Sequence, residues 1–182
     1  MVAAVWVAAC GGSSESATVK AADLIPPLED LGYTMVESGR DPFAPSELDM
    51  ARALYVNPTP YEQRIIVIVY VQHDAETASG QFKQLVDAYA NMPVGALLAN
   101  PLSAGNPQGQ PPANRAIDDG PNAGDERAWF RTQRADSQGT HVWSDVYRQG
   151  QVAVVIQVLS RDEARAAEVR GAVIESVLAN LD

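Results

Sequence analysis

The chain has 182 residues, 23 of them acidic and 13 basic, with a formal net charge of -10. That excess of negative charge argues against nucleic acid as a partner and gives no attraction to anionic lipid headgroups. Cysteine occurs once, at Cys10, so no disulfide can form within the chain, and no stretch approaches the ~20 apolar residues of a membrane-spanning helix.

The first segment, Val2-Ala-Ala-Val-Trp-Val-Ala-Ala9, is apolar and runs directly into Cys10. Its last tetrad, Val7-Ala8-Ala9-Cys10, resembles the lipobox of bacterial lipoproteins: an aliphatic residue, two small residues, then the cysteine that receives diacylglycerol. The resemblance implies a signal peptide over 1–9, a lipidated Cys10, and a protein held at the cell membrane on its extracytoplasmic side. Gly11-Gly-Ser-Ser-Glu-Ser16 follows at once, a polar composition that reads as a tether over 10–20. No Lys or Arg precedes Cys10. A secretory signal normally opens with basic residues, so two readings stand: a longer signal whose basic end precedes Met1, which the polar run after Cys10 favours, or a cytoplasmic chain with a chance Ala/Val-rich start and a buried cysteine.

The remainder, 21–182, reads as a single globular domain. Asp23-Leu-Ile-Pro-Pro-Leu-Glu-Asp-Leu-Gly32 predicts a short helix, with Pro27 in its first turn and Gly32 ending it in the left-handed conformation. Strands are predicted over Tyr33–Ser38 and Arg52–Asn57. Asn57-Pro58-Thr59-Pro60 turns the chain into a third strand, Ile65–Val71. A helix follows from Asp74, its N-cap, to about Asn91, with Ala78, Phe82, Leu85, Val86 and Tyr89 on one side. Met92 to Asp125 is rich in Pro, Gly and Asn and lacks a period, which predicts a long connecting loop over 93–124. Leu97-Leu98-Ala99 offers one helical turn within it.

The second half, 125–182, repeats the order of the first, 21–92. Strands are predicted over Arg127–Arg134 and His141–Arg148, a tight turn at Gln149-Gly150, and a third strand at Val152–Val158. Ser160-Arg-Asp-Glu163 has the form of a capping box, and the last helix presents Ala166, Val169, Val173, Val177 and Leu181. An offset of 87 places Val69 on Ile156, Phe82 on Val169 and Val86 on Val173 without a gap. The expected fold is α+β: one antiparallel sheet built from two pseudo-repeated strand-strand-strand-helix units, with both helices on one face.

The runs Gly124-Asp-Glu-Arg-Ala-Trp129 and Val146-Tyr-Arg-Gln-Gly-Gln-Val-Ala-Val154 resemble the ending of extracytoplasmic domains in high-GC Gram-positive lipoproteins. The extracellular sensor domains of actinobacterial receptor kinases end similarly. The resemblance covers residues 124–182 and implies an α+β binding or sensing module with no assigned catalytic residues.

Motifs for chemistry are sparse. The two histidines, His73 and His141, lie outside any metal-binding spacing, and no metal or cofactor is expected. Asp118-Asp119-Gly120-Pro121-Asn122 with Asp125 and Glu126 lacks the alternation of a calcium loop and reads as a solvated turn. Asn57-Pro58-Thr59 fails as a glycosylation sequon, and no glycine loop has the setting of a phosphate site. His141, Ser144 and Asp145 invite a hydrolase reading. On one strand, however, His141 and Asp145 share a face that Ser144 does not, and no nucleophile elbow is present.

The candidate site is therefore a surface. Trp129, Arg131, Trp143, Asp145 and Tyr147 alternate with Ala128, Phe130, Val142 and Val146. Helices on one face would cover the second set and leave the first as an open aromatic and charged face, the usual anchor of a binding site. The other reading is that the long loop folds over that face and makes the tryptophans core. The function expected is non-catalytic binding or sensing of a small molecule or envelope protein. The alternatives are a hydrolase using His141 and Asp145 and a purely structural envelope protein.

Overall fold

In the computed structural model, which describes residues 19–40, 48–57, 63–92, 114–133 and 139–181, seven strands form one antiparallel sheet. They are β1 (Thr34–Gly39), β2 (Asp49–Asn57), β3 (Gln63–Val71), β4 (Asn114–Ile117), β5 (Glu126–Thr132), β6 (His141–Gln149) and β7 (Val152–Ser160). Their order is β1-β2-β3-β7-β6-β5-β4. Helix α1 (Ala75–Ala90) follows β3 and α2 (Glu163–Ala179) follows β7. The α+β class and the single antiparallel sheet expected from the sequence are what the chain builds.

Local chemistry explains most boundaries. Asp74 caps α1 by accepting the Thr77 N–H at 2.7 Å, which satisfies one of the orphan donors of the first turn. The capping box expected at Ser160 does not form. Ser160 is still the last residue of β7, and its hydroxyl accepts the Asp162 N–H at 3.0 Å. Asp162 caps α2 instead, through the Arg165 N–H at 3.0 Å. The opening helix divides into two 3-10 turns, Ala21–Leu24 and Glu29–Leu31, on either side of Pro26-Pro27. A proline disfavours helical geometry in the residue before it. Gly32 ends the second turn with φ 81°, the left-handed stop predicted for it. The predicted loop 93–124 contains β4, whose four residues pair with Arg131 and its neighbours on β5. The predicted turn at Leu97-Leu98-Ala99 lies outside the described residues.

The helices do not share a face, and this corrects the expected layout. Ile65, Val67, Val69 and Val71 of β3 join Val152, Val154, Ile156 and Val158 of β7 in one core with Val169, Val173 and Val177 of α2. Ile66, Ile68 and Tyr70 join Ala153 and Val155 in a second core with Phe82, Leu85 and Tyr89 of α1. Successive strand residues point to opposite sides of a sheet, so the two cores lie on opposite faces. The helix-bearing unit is therefore not repeated as a whole. On the α2 side the 3-10 turns form the neighbouring cover, with Tyr55 donating its hydroxyl to the Pro26 carbonyl at 2.6 Å.

At the outer edge, β1 is mostly exposed and carries a bulge between Met35 and Glu37. Such irregularity discourages pairing with another chain.

The Gly124-Asp125-Glu126 and Arg148-Gln149-Gly150 runs are tied to each other. The Asp125 N–H donates to the Arg148 carbonyl at 2.7 Å, and Asp125 Oδ2 accepts from the Gly150 N–H at 2.9 Å and from Arg148 Nη1 at 3.0 Å. Arg148 Nε donates to Glu126, whose other oxygen accepts from the Ser79 hydroxyl at 3.3 Å. One knot thus joins the entry to β5, the β6–β7 turn and α1. Gly124 is required there twice over: its φ is 70°, and a Cβ would stand 2.7 Å from the Arg148 carbonyl oxygen. Gly139 has a similar φ of 82° with open space around it. Gly139→Ala is expected to lose about 1 kcal/mol, the cost of the left-handed conformation alone. Gly124→Ala is expected to lose about 2–3 kcal/mol, because strain and collision add. Chemical denaturation of the two variants checks the difference, and equal losses would show that the knot gives way at no cost.

Candidate functional site

The five residues expected to form an open face do share one face, but α2 lies on it. Trp143 is 2% exposed, and Asp145 and Tyr147 are fully buried. The cover is α2, which packs on the side opposite to α1. It is joined among the described residues by the end of the long loop, where Ile117 and Ala123 pack on the same core and Gly120 lies against Trp129. Trp129 and Arg131, one strand further out, are partly buried.

At the centre, Arg170 of α2 forks onto Asp145, with Nε at 2.8 Å from Oδ2 and Nη2 at 2.7 Å from Oδ1. Both side chains are essentially solvent-free, at 1% and 0% exposure. Tyr147 donates its hydroxyl to Asp145 Oδ2 at 3.1 Å, and Trp129 Nε1 donates to the Tyr147 oxygen at 3.3 Å. Burial pushes the Asp145 carboxyl above the ordinary range; Arg170 and Tyr147 pull it back, and Asp119 adds to the rise. Burial raises the Tyr147 hydroxyl as well, reinforced by the Asp145 charge. The chemistry this arrangement performs is structural: a bidentate charge pair, with Tyr147 as a third donor to the carboxylate, clamps α2 to β6.

The hydrolase constellation is not assembled. His141 Nδ1 lies 3.1 Å from the Thr132 hydroxyl, and its ring meets the Trp143 ring edge-on at 5.8 Å. His141 and Asp145 are four residues apart on β6, about 13 Å along an extended strand. Ser144 faces the α1 side, where it accepts from Gln157 Nε2 at 3.4 Å. His73 pairs with Asp74 at 2.8 Å beside the α1 cap. Among the described residues no three His, Cys, Asp or Glu side chains group to hold a metal ion.

What remains reachable on this face is its flank, the strands β4 and β5 beside α2. Arg131 lies with its guanidinium 5.2 Å from the Trp143 ring centroid and pairs through Nη1 with Glu163 Oε1 at 2.9 Å. Arg127 is exposed and lies 5.9 Å over the Trp129 ring. Gly120 presses its backbone against the same indole, which leaves no room for a Cβ. Arg115 on β4 is exposed and stands directly opposite Arg131.

Sequence reasoning missed Arg170, Arg127 and Arg115. Arg170 lies four residues after Ala166 and three before Val173, inside the apolar face of α2, and that placement was a readable signal. Arg115 fell within a segment read as loop. No family model matches the chain, and no curated protein matches it.

Removing one partner of a buried pair strands the other charge. Asp145→Ala and Arg170→Ala are each expected to cost about 3–5 kcal/mol, whereas Asp145→Leu/Arg170→Met should cost far less than the sum. A double-mutant cycle by urea denaturation measures this. Single-variant losses below about 1 kcal/mol would mean that water reaches the pair.

Proposed function

We propose that this chain is a membrane-anchored lipoprotein whose domain stands on the extracytoplasmic side and binds a ligand or an envelope partner without transforming it. One observation carries the reading: Val7-Ala8-Ala9-Cys10 followed at once by a short polar run. Small residues before the cysteine suit cleavage there, and the lipidated thiol then holds the new N-terminus. The point where the chain joins the fold agrees with a tether. The Ala21 N–H donates to Asp49 Oδ2 at 3.2 Å, at the beginning of β2. Ten residues from Gly11 to Lys20 reach at most about 35 Å. A net charge of -10 keeps such a domain off an anionic membrane surface.

Binding rather than catalysis is favoured because the polar side chains that suggested a reaction are engaged elsewhere. Asp145 is taken by Arg170, and the His141 ring lies against Thr132 and Trp143.

We further propose that β1–β3 and β5–β7 are two copies of a three-stranded unit. The strand order is mirrored about the β3–β7 pair. The register supports the offset of 87: Ile65 pairs with Val158, the equivalent of Val71, and Val71 pairs with Val152, the equivalent of Ile65.

Metabolic labelling with a fatty-acid analogue, with the gene expressed together with its upstream sequence, tests the anchor. Label and membrane association are expected in the native protein and loss of both in Cys10→Ser. Equal labelling of the two would overturn the reading.

A further inference from the structure

We propose that the α2-side face of β4 and β5 binds the phosphate groups of an extracytoplasmic polymer, with Arg115 and Arg131 sharing one phosphate and Arg127 receiving another. The proposal rests on the reading of the chain as an extracytoplasmic binding protein for the source of its ligand, and on the geometry for its chemistry.

Three of the eleven arginines share this face, in a chain with ten more acidic than basic residues. Arg115 and Arg131 are direct cross-strand partners, a placement in which like charges repel and destabilise the sheet. Among the described residues no ion pair involves Arg115 or Arg127, although carboxylates are plentiful in the chain. Among the described residues the one carboxylate paired with the trio is Glu163, on Arg131, and Glu163 is 62% exposed. Arg131 Nε is buried without an acceptor.

Two of the guanidinium groups are held in place before any ligand arrives. Trp143 lies under Arg131 and Trp129 under Arg127, and Trp129 is in turn fixed by Gly120 and the Tyr147 hydroxyl. Their positions at i and i+4 of β5 separate them by about 13 Å. That is too far for one anion and suits successive charges of a chain molecule. Between Arg115 and Arg131 the demand is different. A single carboxylate is satisfied by one guanidinium fork, whereas the three or four oxygens of a phosphate can meet two forks from paired strands once Arg131 turns from Glu163.

Position selects the source. The chain enters the fold at Asp49, in the row Asp49-Val71-Val152-Gln149. Arg115 and Arg131 lie in the row through Trp143, Val158, Ile65 and Tyr55. Six residues of β2 separate the two rows, about 20 Å. Arg127 lies in the row through Tyr147, Val154, Val69 and Ala51, two residues from Asp49. The strip thus runs along β5 from near the anchor end to the Arg115–Arg131 pair at the far end, a course that suits a chain molecule rather than the headgroups of the anchoring membrane.

Calorimetric titration of the detergent-solubilised full-length protein with long-chain polyphosphate tests the site, beside poly-glutamate and anionic phosphatidylglycerol vesicles. Salt-sensitive binding of polyphosphate is expected, weakened at least tenfold in Arg115→Gln, which removes an exposed, repelling charge and so does not lower the melting temperature. Glu163→Gln removes the carboxylate competing for Arg131 and should tighten binding. Unchanged affinity in Arg115→Gln overturns the proposal; if that variant also aggregates, Arg115 is a guard on an edge strand. Poly-glutamate binding as tight as polyphosphate overturns the phosphate assignment, and tighter binding to vesicles overturns the polymer source. Polyphosphate binding with no lipid on Cys10 removes the anchor and keeps the site. Lipid on Cys10 without polyphosphate binding does the reverse.

Discussion

The β3–β7 pair has no polar face. From Ile65 to Val71 every residue is apolar, and β7 is apolar from Val152 to Val158 except for Gln157. Each side of the pair must be removed from water, and burying a single Val or Ile is worth about 1.5–3 kcal/mol. One helix cannot do this, because it covers one side only. The chain therefore sends α1 to the Ile66/Ile68/Tyr70 side and α2, with the N-terminal 3-10 turns, to the other. The rest of the layout follows from that division.

The first consequence falls on β6. Its Trp143, Asp145 and Tyr147 point to the α2 side, so α2 takes all three out of solvent. An aspartate in that position is costly unless its charge is met, and Arg170 meets it with a two-pronged hydrogen bond. An apolar pair would pack as well. The ion pair adds direction, because it accepts one helix register and one rotation of α2 against the sheet. The second consequence is that α2 lies over β6 and β7 and leaves β4 and β5 at its flank. There the arginines keep their reach to solvent while Trp129 and Trp143 anchor them from below.

The Gly124-Asp125-Glu126 and Arg148-Gln149-Gly150 runs show how a motif in sequence can be architectural. Every polar contact of Asp125 and of the Arg148 guanidinium described above goes to the other run or to the adjoining Glu126. This fixes where β5 begins, and hence where Arg127, Trp129 and Arg131 stand. A binding strip on a strand held in this way is pre-ordered, which lowers the entropic cost of engaging a ligand.

Much of the fold was legible in the sequence by itself. Unbroken apolar runs, alternation and turn residues marked six of the seven strands, a 3.6-residue period marked both helices, Asp74 announced its cap, and Gly32 its left-handed stop. These are local properties, set by side-chain spacing and by the conformations a residue allows. β4 was not legible, since Asn114-Arg-Ala-Ile117 carries too few residues for a period among Pro and Gly. The helix faces were half-legible: the unbroken apolar runs of β3 and β7 already required cover on both sides, yet the offset of 87 suggested a symmetry that only the strands can share. Which face each helix takes depends on how the chain leaves its strand, a non-local matter. Tertiary structure alone decided that Asp145 meets Arg170 across 25 residues and that Arg115 lands opposite Arg131. Contacts between distant residues depend on strand order and register, and no local pattern encodes either.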